Sequence, residues 1–305
     1  MKNLTFHCPA YTPTQTVKIE NDITQRAEVN LFIKKEYENH PYLSGNKWWK
    51  LKYNLAQARQ EGHTTLLTFG GAYSNHLYAT AAAAQDAGFA CIGIVRGERA
   101  LPLNPTLSFA QSRGMQLHFV SRQQYREKTT EQFIQNLHHQ LGNFYLIPEG
   151  GTNALAIQGC AEWALRLQEE IPFQYLCLPV GTGGTMAGMI RVLQNKNVLG
   201  FPVLKNGYFL NETIAQWTGE NPGTWHLSNA YHFGGYGKIT RELSQFITDF
   251  ENAHAIPLDP VYTGKMMFGI FDLLQKGTFP PHSTILALHT GGLQGRKSLL
   301  PDNRP

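Results

Sequence analysis

Along this chain, short apolar runs alternate with longer stretches in which apolar residues recur at helical spacing or alanine dominates. Residues 66–69 form an apolar run that stops at Gly70-Gly71; Ser74 then opens a helix, alanine-rich over 79–87, that Gly88 ends. Residues 90–95 read as the next strand, 107–113 as a helix closed by Gly114, and 116–120 as a further strand. A second series brings a strand at 144–147, a long helix at 155–170 and a strand at 175–180. That strand runs into Gly181-Thr182-Gly183-Gly184-Thr185 and a helix from Met186; the last strand, 284–289, leads to Thr290-Gly291-Gly292. Strands alternating with helices in this way predict an α/β fold with parallel sheets wrapped by helices. Residues from about 297 to 305 read as a loose tail.

In such sheets ligands gather beyond the carboxyl ends of the strands, where the following turns expose backbone N–H groups. The turns at 70–75, 181–185 and 290–292 share that position and are rich in glycine and hydroxyls. If they converge, they build one site.

Composition narrows the class. A length of 305 residues suffices for two domains or one large one, and a net charge of +4 is mild. The clearest basic cluster, Lys34-Lys35, is followed at once by Glu36 and reads as a solvated face, so no nucleic-acid partner is expected. Cys8, Cys91, Cys160 and Cys177 lie far apart without a C-x-x-C, which disfavours a zinc site or a disulfide framework and suits buried free thiols in a reducing compartment. The N-terminal residues carry no sustained apolar stretch, and no run approaches the roughly 18 apolar residues of a membrane span. The expectation is a soluble, cytoplasmic protein with no membrane partner and no metal.

The candidate chemistry begins with Gly181-Thr182-Gly183-Gly184-Thr185. Glycines between a strand and a helix let backbone amides approach an anion, and the two threonine hydroxyls can donate as well. The loop lacks the Walker lysine and does not fit G-x-G-x-x-G, because Met186 holds the sixth position. Taken alone it is a phosphate site or a plain tight turn. Ser44-Gly45-Asn46-Lys47-Trp48-Trp49-Lys50 has two readings also: a helix start with lysines in solvent and tryptophans in the core, or a Schiff-base lysine with Lys50 one helical turn away, facing a phosphate. In Gly70-Gly71-Ala72-Tyr73-Ser74-Asn75-His76, Ser74 suits a helix N-cap, and Ser74 and Asn75 suit a carboxylate or phenolate oxygen. His76 is one of twelve histidines and says little by itself.

Together these segments resemble the pyridoxal-phosphate (PLP) dependent deaminases and desulfhydrases typified by 1-aminocyclopropane-1-carboxylate deaminase and D-cysteine desulfhydrase. Asp259-Pro260-Val261-Tyr262-Thr263-Gly264-Lys265 and His289-Thr290-Gly291-Gly292 are similar to that family's two C-terminal motifs in order and spacing, and the resemblance runs from about residue 40 to 295. It implies a two-lobed fold of the tryptophan synthase β type. Residues 1–51 and 150–305 would form the large PLP-binding domain, and 52–149 a small inserted α/β domain. It implies that Lys47 carries PLP as a Schiff base and moves protons at the substrate α carbon. Gly181, Thr182, Gly183, Gly184 and Thr185, with Lys50, would hold the phosphate. Asn75 would meet the ring oxygen, Thr290 the ring nitrogen, and Ser74, Asn75 and His76 the substrate, while Tyr236 and Tyr262 lie near ring and substrate. It also implies a homodimer acting on a small amino acid.

The chain departs from the ring-opening deaminases at Thr263 and Thr290, where they have Glu and Leu, and at His76, where they tend to have Gln. That pattern is desulfhydrase-like and points to a lyase removing a β substituent and ammonia, with D-cysteine as the model substrate. Tyr73 and Tyr78 replace a Gln and an Arg usual in both groups, and the stretch between Thr185 and Tyr236 is short; both changes are expected to reshape the substrate pocket. Two alternatives stay open: a deaminase for a cyclic or hydroxy amino acid, and a non-catalytic PLP- or anion-binding protein. A nucleotide-binding α/β protein is disfavoured by the missing Walker lysine.

Overall fold

The computed structural model describes residues 9–298 apart from residue 221. Its strands are β1 (Thr16–Ile19), β2 (Asn30–Lys34), β3 (Thr65–Gly71), β4 (Ala90–Arg96), β5 (Met115–Val120), β6 (Tyr145–Ile147), β7 (Tyr175–Val180), β8 (Asn197–Pro202), β9 (Thr224–Leu227) and β10 (Thr284–Leu288). They form a six-stranded sheet in the order β1-β2-β10-β7-β8-β9 and a four-stranded sheet in the order β5-β4-β3-β6. Every pairing is parallel except β1 with β2. The inner strands β7 and β10 are apolar almost throughout, as strands covered by helices on both faces must be.

The helices are α1 (Asp22–Arg26), α2 (Asn46–Gln60), α3 (Asn75–Asp86), α4 (Pro105–Ser112), α5 (Arg122–Arg126), α6 (Glu131–Leu141), α7 (Ala154–Glu170), α8 (Gly184–Ile190), α9 (Phe209–Thr218), α10 (Arg241–His254) and α11 (Thr263–Gln275). Among the described residues none is long and apolar enough to cross a membrane. The parallel sheets flanked by helices are those expected from the sequence. The expected division at residues 51 and 52 falls inside α2, which continues without interruption to Gln60.

Helix α7 positions the site by packing between α2 and α8. A Cβ on Gly159 would lie 2.0 Å from the Trp49 carbonyl oxygen, and one on Gly188 would lie 2.6 Å from the Cys160 Cβ. Glycine at both contacts lets the three backbones approach closely. Trp49 and Trp163 stack across the first contact with ring centroids 5.9 Å apart. The first turn of α2 and the loop before α8 are thereby drawn to one place.

Two charges read as a solvated face are instead buried. Lys34 donates to the Thr14 carbonyl and pairs with Glu170. Glu36 accepts hydrogen bonds from Trp49 Nε1 (2.7 Å), Thr14 Oγ1 (2.9 Å), Asn39 Nδ2 (3.0 Å) and Tyr11 Oη (3.2 Å). The segment carrying Tyr11 and Thr14 covers them, a long-range contact that local charge patterning does not reveal. Cys91, Cys160 and Cys177 are buried and free. Cys8 and residues 299–305 of the expected tail lie outside the described residues, while residues up to 298 close in a 3₁₀ turn (Leu293–Ser298).

Candidate active site

The site is built on the start of α2. Gly45 has φ +68, and a Cβ there would lie 2.0 Å from the Thr290 carbonyl oxygen, so only glycine fits. Its N–H donates to Asn39 Oδ1 (2.9 Å), and Asn39 Nδ2 donates back to its carbonyl (3.1 Å). The next N–H, of Asn46, donates to the Thr290 carbonyl at 3.3 Å. These contacts join Lys47 to the end of β10.

Both lysines of this turn face inward, contrary to the reading that would leave them in solvent. Burial, followed by the nearby Lys50 charge, lowers the Lys47 pKa to about 7. Burial lowers Lys50 to about 8. Lys47 Nζ donates to Asn46 Oδ1 at 3.2 Å, and Asn46 Nδ2 donates to Thr185 Oγ1 at 2.9 Å. Lys50 Nζ donates to Thr152 Oγ1 at 2.9 Å, and that hydroxyl lies 2.7 Å from Thr182 Oγ1. Two polar links therefore tie the lysine turn to the glycine-rich loop. Within the loop, a Cβ on Gly184 would meet Thr152 side-chain atoms at 2.7 Å, and Gly183 has φ +83. Thr152 belongs to no segment singled out in the sequence.

From the other sheet, the turn after β3 brings α3. Ser74 caps it, its Oγ accepting from the N–H groups of His76 and Leu77, both at 3.2 Å. Asn75 Oδ1 accepts from Gln294 Nε2. His76 lines the cavity, but its Nε2 is engaged by Thr68 Oγ1 at 2.9 Å, which itself donates to the Ile147 carbonyl. Burial first, then Lys47 and Lys50, hold its pKa well below the ordinary value, so the ring is neutral.

Opposite, Asp259 is buried and organises the turn before α11. Its Oδ1 accepts from the N–H groups of Tyr262 (2.5 Å) and Val261 (3.1 Å). Burial raises its pKa to about 7 against those hydrogen bonds. Thr263 Oγ1 accepts from the Asp259 N–H at 2.9 Å, so Thr263 is buried in this turn rather than facing the cavity. Tyr262 and Tyr236 pack edge to face with centroids 6.0 Å apart. Lys265 Nζ donates to the carbonyls of His232 (2.9 Å) and Gly235 (2.8 Å) and so anchors the loop that presents Tyr236.

These pieces surround a cavity of about 480 Å³. Lys47, Lys50, Ser74, Asn75, His76, Gly181, Thr182, Gly183, Thr185, Tyr236, Tyr262 and Thr290 all line it, while Gly184 packs behind the loop against Thr152. Arg96 at the end of β4 and Glu149 after β6 line it too. Neither belongs to a motif; each is marked only by standing beyond the carboxyl end of a strand. Of the two tyrosines expected to reshape the pocket, Tyr73 is exposed and stands outside this cavity, while Tyr78 stacks on Phe109 with centroids 3.8 Å apart and borders a small adjoining recess that it shares with Lys47, Asn75 and Thr290.

The donor set fits a phosphorylated aldehyde. Lys47 offers an amine that titrates near neutral pH, and the loop offers amides and two hydroxyls beside a second lysine. The comparisons with known proteins agree. Residues 8–291 match the family described as pyridoxal-phosphate dependent enzymes. The chain is 30% identical over 300 residues to a putative 1-aminocyclopropane-1-carboxylate deaminase of Pyrococcus horikoshii, covering 94% of this chain and 91% of that one. It is 28% identical over 287 residues to the D-cysteine desulfhydrase of Salmonella typhi, covering 86% of each. Among solved structures, an ACC deaminase homologue superposes with a TM-score of 0.77 at 28% identity, covering 94% of this chain and 91% of that one. Because the family match extends across the whole cavity from Lys47 to Thr290, this chain belongs to the pyridoxal-phosphate dependent enzymes, and PLP is its cofactor.

Proposed function

We propose that this enzyme is a D-cysteine desulfhydrase-like lyase that removes a β substituent and ammonia from a small amino acid. The observation that carries the reading is the Lys47 amine, lowered to about 7 and joined through Asn46 to the glycine-rich loop. When bound, PLP supplies an electron sink for the substrate α carbon. Lys47 would hold it and then move the α proton, a task suited to an amine that titrates near working pH. The amides of Gly181–Thr185 and the Lys50 ammonium would bind the phosphate. Asn75 would donate to the ring oxygen, Ser74 to the substrate carboxylate, and Thr290 would meet the ring nitrogen as a neutral partner. Tyr236 and Tyr262 would close the substrate side and exclude water. Thr263 acts through the Asp259 turn by orienting Tyr262, which leaves Thr290 as the member of the threonine pair that faces the chemistry. We further propose that residues 52–149 form a smaller inserted α/β lobe and that the enzyme is a cytoplasmic homodimer.

The test is product release from D- and L-cysteine, beside keto-acid release from 1-aminocyclopropane-1-carboxylate. Sulfide, pyruvate and ammonia in equal amounts from D-cysteine support the reading. Ring opening without sulfide release overturns it in favour of the deaminase activity named for the Pyrococcus relative.

A further inference from the structure

Arg96 ends β4 with its guanidinium beside the turn that carries Ser74. One of its Nη atoms lies 3.5 Å from where a Cβ on Gly71 would sit. Its side chain is exposed at the cavity wall and has, among the described residues, no hydrogen-bond or ion-pair partner; its neighbour is the Tyr125 ring, 5.7 Å from the guanidinium carbon. Glu149, the carboxylate of the same wall, is already satisfied: it accepts from Tyr125 Oη at 2.8 Å and pairs with Lys128 at 3.3 Å.

The charges of the cavity can then be assigned in turn. Lys47 would be occupied by the cofactor it holds, and Lys50 sits beside the loop proposed for the phosphate. The substrate carboxylate meets Ser74 and Asn75. Arg96 is left as a cation without a counter-ion, hydrated while the cavity is open and available to an anion that enters. We propose that Arg96 forms a subsite for an anionic group on the substrate's β substituent, so that the preferred substrates carry a negatively charged leaving group, as S-sulfocysteine does. This inference deepens the lyase reading above and rests on it.

The chemistry balances without an added oxidant or reductant. The Cα–H and Cβ–S bonds break, the proton passes to the Lys47 amine, and the electron pair forms Cα=Cβ. Thiosulfate leaves with the Cβ–S pair, and water hydrolyses the resulting enamine to pyruvate and ammonia. A charge-assisted hydrogen bond is worth about 1.5–3 kcal/mol, roughly ten-fold or more in affinity.

The experiment compares both enantiomers of cysteine and S-sulfocysteine on the holoenzyme, R96K and R96Q at pH 7. Product release is read as kcat and KM, and binding as the perturbation of the cofactor's visible absorption. We expect wild type to prefer S-sulfocysteine, and R96Q to lower the preference ratio by about ten-fold, chiefly through KM, with R96K intermediate. An unmoved ratio, or equal losses on both substrates, overturns the subsite; equal losses would mean that Arg96 meets the α-carboxylate. If cysteine yields sulfide and the ratio does not move, only the subsite fails. If neither amino acid perturbs the cofactor absorption, the lyase reading fails with it.

Discussion

The side-chain amide of Gln294 donates a hydrogen bond to Oδ1 of Asn75 and so fixes which end of the Asn75 amide is left for the cavity. A primary amide has one acceptor end and one donor end. With Oδ1 taken, Nδ2 is the atom left to face a phenolate oxygen. Gly292 leaves room for it: a Cβ there would lie 2.7 Å from Asn75 Nδ2.

Gln294→Glu should therefore do more than remove a contact. A carboxylate only accepts, so Asn75 would turn its amine toward residue 294 and its oxygen toward the cofactor. The loss of a donor at the phenolate should raise the midpoint of the cofactor's visible-band pH titration by about one unit, and Gln294→Ala should raise it less. Equal midpoints for the two variants would contradict the orienting role.

Gly45→Ala should destabilise the protein and release cofactor. Left-handed backbone strain costs about 1–3 kcal/mol, and the Cβ would also meet the Thr290 carbonyl oxygen at 2.0 Å. Gly62→Ala is the control, because Gly62 has φ +76 with nothing within 4 Å. Thermal melting and the ratio of visible to protein absorbance should separate the two. A Gly45→Ala protein with full colour and unchanged melting would refute the close approach.

Cofactor uptake by the apoprotein should follow the Lys47 amine. Only the unprotonated amine attacks an aldehyde, so the rate should rise with pH and be half-maximal near the lowered value of about 7. Stopped-flow absorbance across pH 5.5–9 measures it. A rate still rising steeply toward the ordinary lysine value of 10.5 would show that burial does not lower this group.

Thr185→Asp should weaken PLP retention much more than folding. Thr185 Oγ1 accepts from Asn46 Nδ2 in the loop, so a carboxylate there would oppose the phosphate where screening is poor. The measurements are cofactor occupancy after dialysis and melting of the apo form. Undiminished occupancy would move the phosphate elsewhere.

Much of this was legible because glycine and hydroxyl punctuation is local. The turns after β3, β7 and β10 could be read from a few residues each, and their convergence is what a parallel sheet imposes. Burial was not legible. Lys47 and Lys50 lie inside because α2 packs on α7 through Gly159, and Lys34 and Glu36 because the chain near Thr14 crosses them; both contacts join distant segments. Thr152, Arg96 and Glu149 escaped because each enters the site singly, with no motif around it.

Borohydride reduction of the holoenzyme followed by peptide mapping decides whether Lys47 is the residue that carries the cofactor. Reduction fixes PLP to whichever amine holds it. A single labelled peptide is expected, with the modification on Lys47, and no label in Lys47→Ala. A label on Lys50, Lys265 or any other lysine, or full labelling of Lys47→Ala, would contradict it.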